Sequence, residues 1–163
     1  MTVSVRAGRR AIADRRGEIA ALSFTYQYPH MAVTVDVVLF DSPARARILL
    51  IQRRNEPFKD HWALPGGYVD MDETVLDAAH RELAEETGVT QIDLTFLGYF
   101  DAIDRDPRER TIAIAFVGAL RAAAPVQAGD DARDAGWHAI EALPSLAFDH
   151  AQIIRRAIAH RTA

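Results

Sequence analysis

Three carboxylates, Glu82, Glu85 and Glu86, fall within five residues beside Arg81, in a stretch reading GGYVDMDETVLDAAHRELAEETGV over residues 66–89. Like charges at i,i+4 on a helix repel by about 0.2–0.5 kcal/mol when exposed and by more once desolvated, so such a group calls for a cation. Carboxylates accept hydrogen bonds without donating, and oxygen donors of this kind suit hard divalent ions such as Mg2+ or Mn2+. The chain has no cysteine, which excludes disulfides and thiolate-held metals and leaves oxygen and imidazole as ligands.

The element that must position these carboxylates is a helix over residues 73–87. Asp70 and Glu73 have capping-box spacing, Asp72 competes for the N-cap, and Gly88 stands where a glycine stops a helix. At about 100° per residue, Val75, Leu76, Ala79 and Leu83 share a face that must be buried, with the glutamates centred roughly 80° to one side and His80, Ala84 and Thr87 outward. A solvated glutamate run would sit opposite the apolar stripe; this one flanks it. Arg81 precedes Glu85 by four residues and can pair with it, or reach back to Glu73 and pin the preceding loop. The Gly66-Gly67 pair lets a main-chain carbonyl or amide come close to a ligand.

At 163 residues, 49% apolar and 26% charged, the chain has the size and composition of one globular domain. Residues 1–27 read as an N-terminal arm, either loose or holding a short helix over 10–22, and residues 28–163 as the working domain. Strands are expected over 30–40 and 47–54, close enough to pair as a hairpin, with an extended piece over 63–69 broken by Pro65, Gly66 and Gly67. Further strands are expected within 91–103, 110–120 and 134–140, and a closing amphipathic helix over 149–161. Strands before, between and after two helices predict an α/β (α+β) fold, an α/β/α sandwich around a mixed sheet. The net charge of −4 argues against wholesale binding of nucleic acid, and no apolar run is long enough for a signal core or a membrane span. A cytoplasmic location is the expectation.

Gly67, five residues, Glu73, seven residues, then Arg81-Glu82-Leu83-Ala84-Glu85-Glu86-Thr87-Gly88-Val89 resembles the Nudix box, G-x5-E-x7-R-E-U-x-E-E-x-G-U with U aliphatic, at every specified position. The strand order resembles the Nudix fold over residues 28–161. The resemblance implies a hydrolase of nucleoside diphosphates linked to another moiety, with Mg2+ or Mn2+ as cofactor, one to three ions. It implies Glu82, Glu85 and Glu86 as metal ligands, the carbonyl of Gly66 or Gly67 as a further ligand, and Glu73 with Arg81 as the pair holding loop to helix. It also implies a later acidic position, for which AGDDARDAGW offers Asp130 and Asp131; Asp131, six residues before Trp137, is the better match. The segments YPHMAVTVDVVLF, RRNEPFKDHWALPGGYVD, DRDPRER and AFDHAQII resemble the bacterial ADP-ribose pyrophosphatase-like branch, which implies a homodimer.

The negative oxygens of a pyrophosphate repel hydroxide, so the protein must neutralise them and supply a nucleophile at neutral pH; clustered divalent ions do both. One carboxylate must take the proton from water. Glu82 is expected in that role, with Asp131 next and Glu85 completing the catalytic set. Arg53, Arg54, Arg105 and Arg108 are candidates for substrate phosphates or ribose, Arg105 first among them. Tyr28, Phe58 and Trp62 could stack on a base, although Trp62 beside ALP reads better as core. The functions in view are hydrolysis of ADP-ribose to AMP and ribose 5-phosphate, a housecleaning pyrophosphohydrolase of (deoxy)nucleoside triphosphates, and a non-catalytic nucleotide sensor.

Overall fold

The computed structural model describes residues 3–6, 12–13, 19–20, 23–44, 46–121, 125–126 and 132–160. Its first elements are short strands, β1 (Val3–Arg6), β2 (Ile12–Ala13), β3 (Ile19–Ala20) and β4 (Ser23–Tyr26). β1 pairs with β4 and β2 with β3, both antiparallel. The helix expected over 10–22 is therefore replaced by strand where that segment is described. Ile12 lies opposite Ala20 and Ala13 opposite Ile19. The rest of that segment lies outside the described residues.

The runs rich in valine, isoleucine and threonine build a seven-stranded mixed sheet. Its long strands are β5 (Ala32–Phe40), β6 (Arg47–Arg53), β9 (Thr95–Phe100), β10 (Thr111–Ala119) and β11 (Ala132–Ala139), with β7 (Trp62–Ala63) and β8 (Gly66–Tyr68) as short pieces. The spatial order is β11-β6-β5-β10-β9, and β5 with β10 is the parallel pair, in register from Ala32 opposite Thr111 to Phe40 opposite Ala119. The hairpin expected between the first two long strands closes only at its turn, where Phe40 faces Ile48. Beyond that point β5 and β6 part, and the gap is filled by β8 on β5, with Gly66 opposite Asp36, and β7 on β6, with Ala63 opposite Ile51.

Alternation along β5 decides what each face packs against. Val35, Val37 and Leu39 meet Ala78, Ala79 and Leu83 of α1 (Val75–Thr87). Val38 and Phe40 meet Ile153, Ile154 and Ala157 of α2 (His150–Ala159) on the opposite face. These layers are the expected α/β/α sandwich. Toward the start of β5 the α2-side face turns polar, at Thr34 and Asp36. Among the described residues no helix is long and apolar enough to cross a membrane.

Helix α1 begins later than the D-x-x-E spacing suggests. Thr74 is the N-cap: its Oγ1 accepts from the Asp77 N–H at 3.2 Å, while Asp77 Oδ2 accepts from the Thr74 N–H at 3.3 Å. Gly88, in the left-handed region at φ 73°, ends the helix as expected. The buried arc is Ala78, Ala79, Leu83, Glu86 and Thr87, while Val75 and Leu76, expected inside, are exposed. Thr87, expected outside, is buried, and its hydroxyl donates to the Leu83 carbonyl within the helix.

Candidate active site

Helix geometry grades the three glutamates. Measured from Val75, Glu86, Glu82 and Glu85 lie at roughly 20°, −20° and −80°, and the observed buried arc centres near roughly 40°. Burial follows that order: Glu86 is buried, Glu82 is mostly buried, and the Glu85 side chain is 61% exposed. Glu82 and Glu86 are thus the two that turn inward toward the glycine loop, and Glu85 faces outward. Glu86 Oε2 accepts from the Gly66 N–H at 2.9 Å, and Glu82 lies against the other glycine. A Cβ on Gly67 would come within 2.6 Å of Glu82 Cδ, and one on Gly66 within 3.1 Å of Asp36 Cα. Position 66 requires glycine because backbone is in the way, whereas a side chain at 67 would have to displace the Glu82 carboxylate.

Arg81 performs both tasks foreseen for it. Its Nε and Nη2 donate to the two oxygens of Glu73 at 2.9 and 2.6 Å, and Nη2 also donates to the Tyr68 carbonyl at 3.0 Å. Its Nη1 bridges Glu82 Oε1 at 2.7 Å and Glu85 Oε2 at 3.2 Å. Glu73 Oε1 in turn accepts from the Asp70 N–H at 2.8 Å, so the loop before α1 is tied to the helix through one guanidinium. The hydrogen bonds it donates to Glu73 hold Arg81 charged well above the ordinary arginine range despite burial. Burial raises the Glu82 carboxyl, opposed by Arg81 and reinforced by Glu85 and Glu73. Among the described residues no three acidic or histidine side chains converge on one point. The donor chemistry nonetheless suits a hard divalent ion: carboxylate and main-chain oxygens border one glycine pair, and a cation would offset the desolvation of Glu82.

Glycines 66 and 67 also wall a cavity of about 50 Å3 on the α2 side of the sheet, which Arg53, Arg105, Arg108 and Phe148 border. Arg105, expected first among the substrate-binding arginines, is instead spent inside the protein. Its side chain is 4% exposed, donating to Asp149 from Nε at 3.1 Å and Nη2 at 2.8 Å, and to Asp36 Oδ2 at 3.3 Å. Arg108 is held by Asp106 at 2.7 Å, and its guanidinium lies 5.7 Å from the Phe148 ring centre and 5.4 Å from that of Tyr68. Arg53 stacks over Phe148 at 4.8 Å, and burial together with the Arg108 charge lowers its pKa. Arg54 is exposed and donates to the Ala132 carbonyl at 3.1 Å. Tyr28 is exposed and stands outside the cavity wall. Phe58 packs on Phe148 at 4.8 Å, and Trp62 joins the core as expected. Asp130 and Asp131 lie outside the described residues.

Sequence reasoning missed Asp36, Asp106, Phe148 and His150. Asp36 had a signal, a lone carboxylate in the apolar strand AVTVDVVLF. His150 Nδ1 accepts from the Leu64 N–H at 2.8 Å, so the proton of the neutral ring sits on Nε2, 3.4 Å from Asp36 Oδ1. Burial drops His150 from 6.5 to about 3 and lifts Asp36 from 3.8 to about 7, the latter against the pull of Arg105.

The two groups act oppositely on stability. The folded value of His150 lies below its unfolded one, so stability present above pH 6.5 is lost as pH falls toward 3. The folded value of Asp36 lies above its unfolded one, so a cost present above pH 7 is relieved as pH falls toward 3.8. Urea denaturation near pH 7.5 and near pH 5 reads both. Relative to the unsubstituted chain, His150→Gln is expected to gain stability on acidification and Asp36→Asn to lose it. Equal pH dependence in all three proteins would remove this pair as the titrating groups.

The family description "NUDIX domain" matches residues 30–160. The chain belongs to the Nudix family. An ADP-ribose pyrophosphatase of Methanocaldococcus jannaschii is 44% identical over 128 residues, which span 78% of this Nudix chain and 73% of the relative. The ADPR responsive transcriptional repressor NtrR of Acinetobacter baylyi is 36% identical over 137 residues; these span 81% of this chain and 55% of the repressor, about half of that longer protein. The Nudix domain of Shewanella oneidensis NrtR, solved in complex with ADP ribose, matches at a TM-score of 0.77 and 30% identity, with 83% of this chain and 91% of that domain covered. The sandwich described above is thus a Nudix fold, and the chain is a Nudix hydrolase.

Proposed function

We propose that this protein hydrolyses the pyrophosphate bond of ADP-ribose, giving AMP and ribose 5-phosphate, with Mg2+ or Mn2+ bound. The observation that carries the reading is the single guanidinium of Arg81, which ties Glu73 and the glycine loop to Glu82 and Glu85. Likeness to the M. jannaschii pyrophosphatase supports the substrate. Glu82, Glu85, Glu86 and a carbonyl of Gly66 or Gly67 would hold one to three ions, with Asp131 as a further carboxylate. A bound ion would polarise a phosphoryl oxygen and make water more acidic. Glu82 takes the proton of the attacking water through Oε2, its Oε1 being bonded to Arg81. Water oxygen adds to one phosphorus, the bridging P–O bond breaks, and the departing phosphate leaves as a monoester. Arg53 and Arg108 grip the phosphate oxygens; a cation whose charge is opposed by burial and by a second arginine gains from an anion.

Residues 28–163 form the catalytic unit in this reading, and 1–27 an arm. A homodimer is part of it, supported by Phe96 and Tyr99, exposed on edge strand β9; sedimentation returning a monomer would remove that part. A chain without cysteine also suits a reducing cytoplasm, and cell fractionation that finds it exported would refute the location. The likeness to NtrR favours a second reading, an ADP-ribose sensor without turnover. The test is a panel of ADP-ribose, nucleotide sugars, dinucleotides and nucleoside triphosphates, with Mg2+, Mn2+ or chelator, scored by product. AMP and ribose 5-phosphate appearing only with metal is the expected result. Pyrophosphate release from a triphosphate would replace ADP-ribose as the substrate, and binding of ADP-ribose without turnover would establish the sensor.

A further inference from the structure

We propose that Phe148 is a positioning residue for phosphate binding, its ring holding the guanidinium groups of Arg53 and Arg108 together beside the glycine loop. The inference rests on the reading in which those two arginines grip phosphate, and adds to it the side chain that sets where they stand.

Phe148 adopts φ 51° and Phe58 φ 62°, the left-handed region in which a bulky residue is a genuine outlier. Glycine or asparagine would meet the same backbone need at lower cost, so what the two positions keep is the rings. These meet edge to face with 4.8 Å between centres, although they come from loops far apart in the chain. Backbone outliers of this kind persist only where the surrounding structure holds them, and they gather at ligand clamps.

The ring at 148 carries two like charges. Arg53 Cζ lies 4.8 Å and Arg108 Cζ 5.7 Å from its centre, both within the range of about 6 Å over which a cation is attracted to an aromatic face. Each guanidinium is fixed at one further point. Arg53 Nε donates to the Pro57 carbonyl at 2.8 Å, and Arg108 donates to Asp106 from Nε at 3.0 Å and Nη2 at 2.7 Å. Among the described residues, neither Nη of Arg53 nor Nη1 of Arg108 donates a hydrogen bond, which leaves donors for an anion. All three residues border the cavity that Gly66 and Gly67 wall. The two charges oppose each other, the Arg108 charge adding to burial in lowering the Arg53 pKa, and the negative face of the ring offsets that repulsion. With Phe58 and His150 also against it, at 4.8 and 5.4 Å, the ring is already surrounded and acts on substrate through the arginines.

The test is Phe148→Leu, which keeps apolar bulk and loses the aromatic face, beside Phe148→Tyr, which keeps both. Each retains a Cβ, so the backbone at φ 51° is equally disfavoured in the two. With Mg2+ and ADP-ribose, Phe148→Leu is expected to raise KM by about five- to thirtyfold and to hold kcat within about twofold, the pattern of lost binding that ground and transition states share. Phe148→Tyr is expected to stay close to the unsubstituted protein. In a background of Arg53→Gln and Arg108→Gln, Phe148→Leu is expected to raise KM no further. A residue serving packing alone would instead lower Tm and the fraction of active protein, and so kcat, at unchanged KM. That outcome overturns the proposal, as does an equal KM for Phe148→Leu and Phe148→Tyr or a full further rise in the background lacking both arginines. If Phe148→Leu does not fold, Phe148→Met takes its place. If the unsubstituted protein leaves ADP-ribose uncleaved, the pyrophosphatase reading fails on its own, and calorimetric Kd for ADP-ribose replaces KM in the same comparison. Weakening by Phe148→Leu, spared by Phe148→Tyr and absent without the two arginines, supports the positioning role; any other pattern, no binding included, overturns it.

Discussion

Glu82→Gln is expected to lower kcat by about two to four orders of magnitude, the usual contribution of a positioned general base, while the protein stays folded. The amide has the shape of the carboxylate, and its oxygen can still accept from Arg81 Nη1, which Glu82 Oε1 meets at 2.7 Å. What the substitution removes is a group able to take a proton, together with one negative charge at the proposed ion site. Burial already raises this carboxyl, the direction that makes a carboxylate a stronger base. Single-turnover and steady-state rates at saturating Mg2+, with the melting temperature as control, decide the matter. Turnover within a few-fold of the unsubstituted protein would take Glu82 out of this role and pass it to Asp131 or Glu85.

The second large effect is on stability. Arg105→Met should destabilise the fold by about 3–5 kcal/mol, because removing one partner of a buried ion pair leaves uncompensated charge. Asp36 and Asp149 both lose their guanidinium, whose own side chain is 4% exposed. For a domain of this size the loss corresponds to a fall in Tm of about 6–20 °C. The deficit should shrink near pH 5, because burial lifts Asp36 to about 7 and a protonated acid needs no cation. Calorimetric melts at the two pH values read this. An unchanged Tm with a raised KM would return Arg105 to the substrate-binding role that its loop position suggested.

The reversal at Arg105 marks where sequence reading stopped. DRDPRER is a polar loop, and nothing local says that its first arginine turns inward, since its partners, Asp36 and Asp149, lie 69 and 44 residues away. The helix was legible because its information is local: apolar spacing, a glycine stop, and glutamates set beside the stripe. Its start was misread for a physical reason. Glu73 does receive the Asp70 N–H, as the D-x-x-E spacing suggests, but the bond serves the Arg81 anchor, and Thr74 with Asp77 caps the helix. The parting of β5 from β6 was not legible, because it depends on β7 and β8 entering from later in the chain. Phe148 and His150 became visible as site residues only once the fold brought residues 148 and 150 to the cavity.

That parting makes the centre of the sheet contain an inner margin, where main-chain donors and acceptors of two long strands would lack neighbours. Stubs of two and three residues close it, helped by Pro65, whose carbonyl accepts from the Val37 amide at 2.9 Å. An imino acid suits that spot, having no N–H to leave unmet. The seam filler and the glycine loop are the same few residues, so damage there would breach the middle of the scaffold along with the chemistry. Inactive variants in this stretch would therefore be recovered mainly as insoluble or protease-sensitive protein.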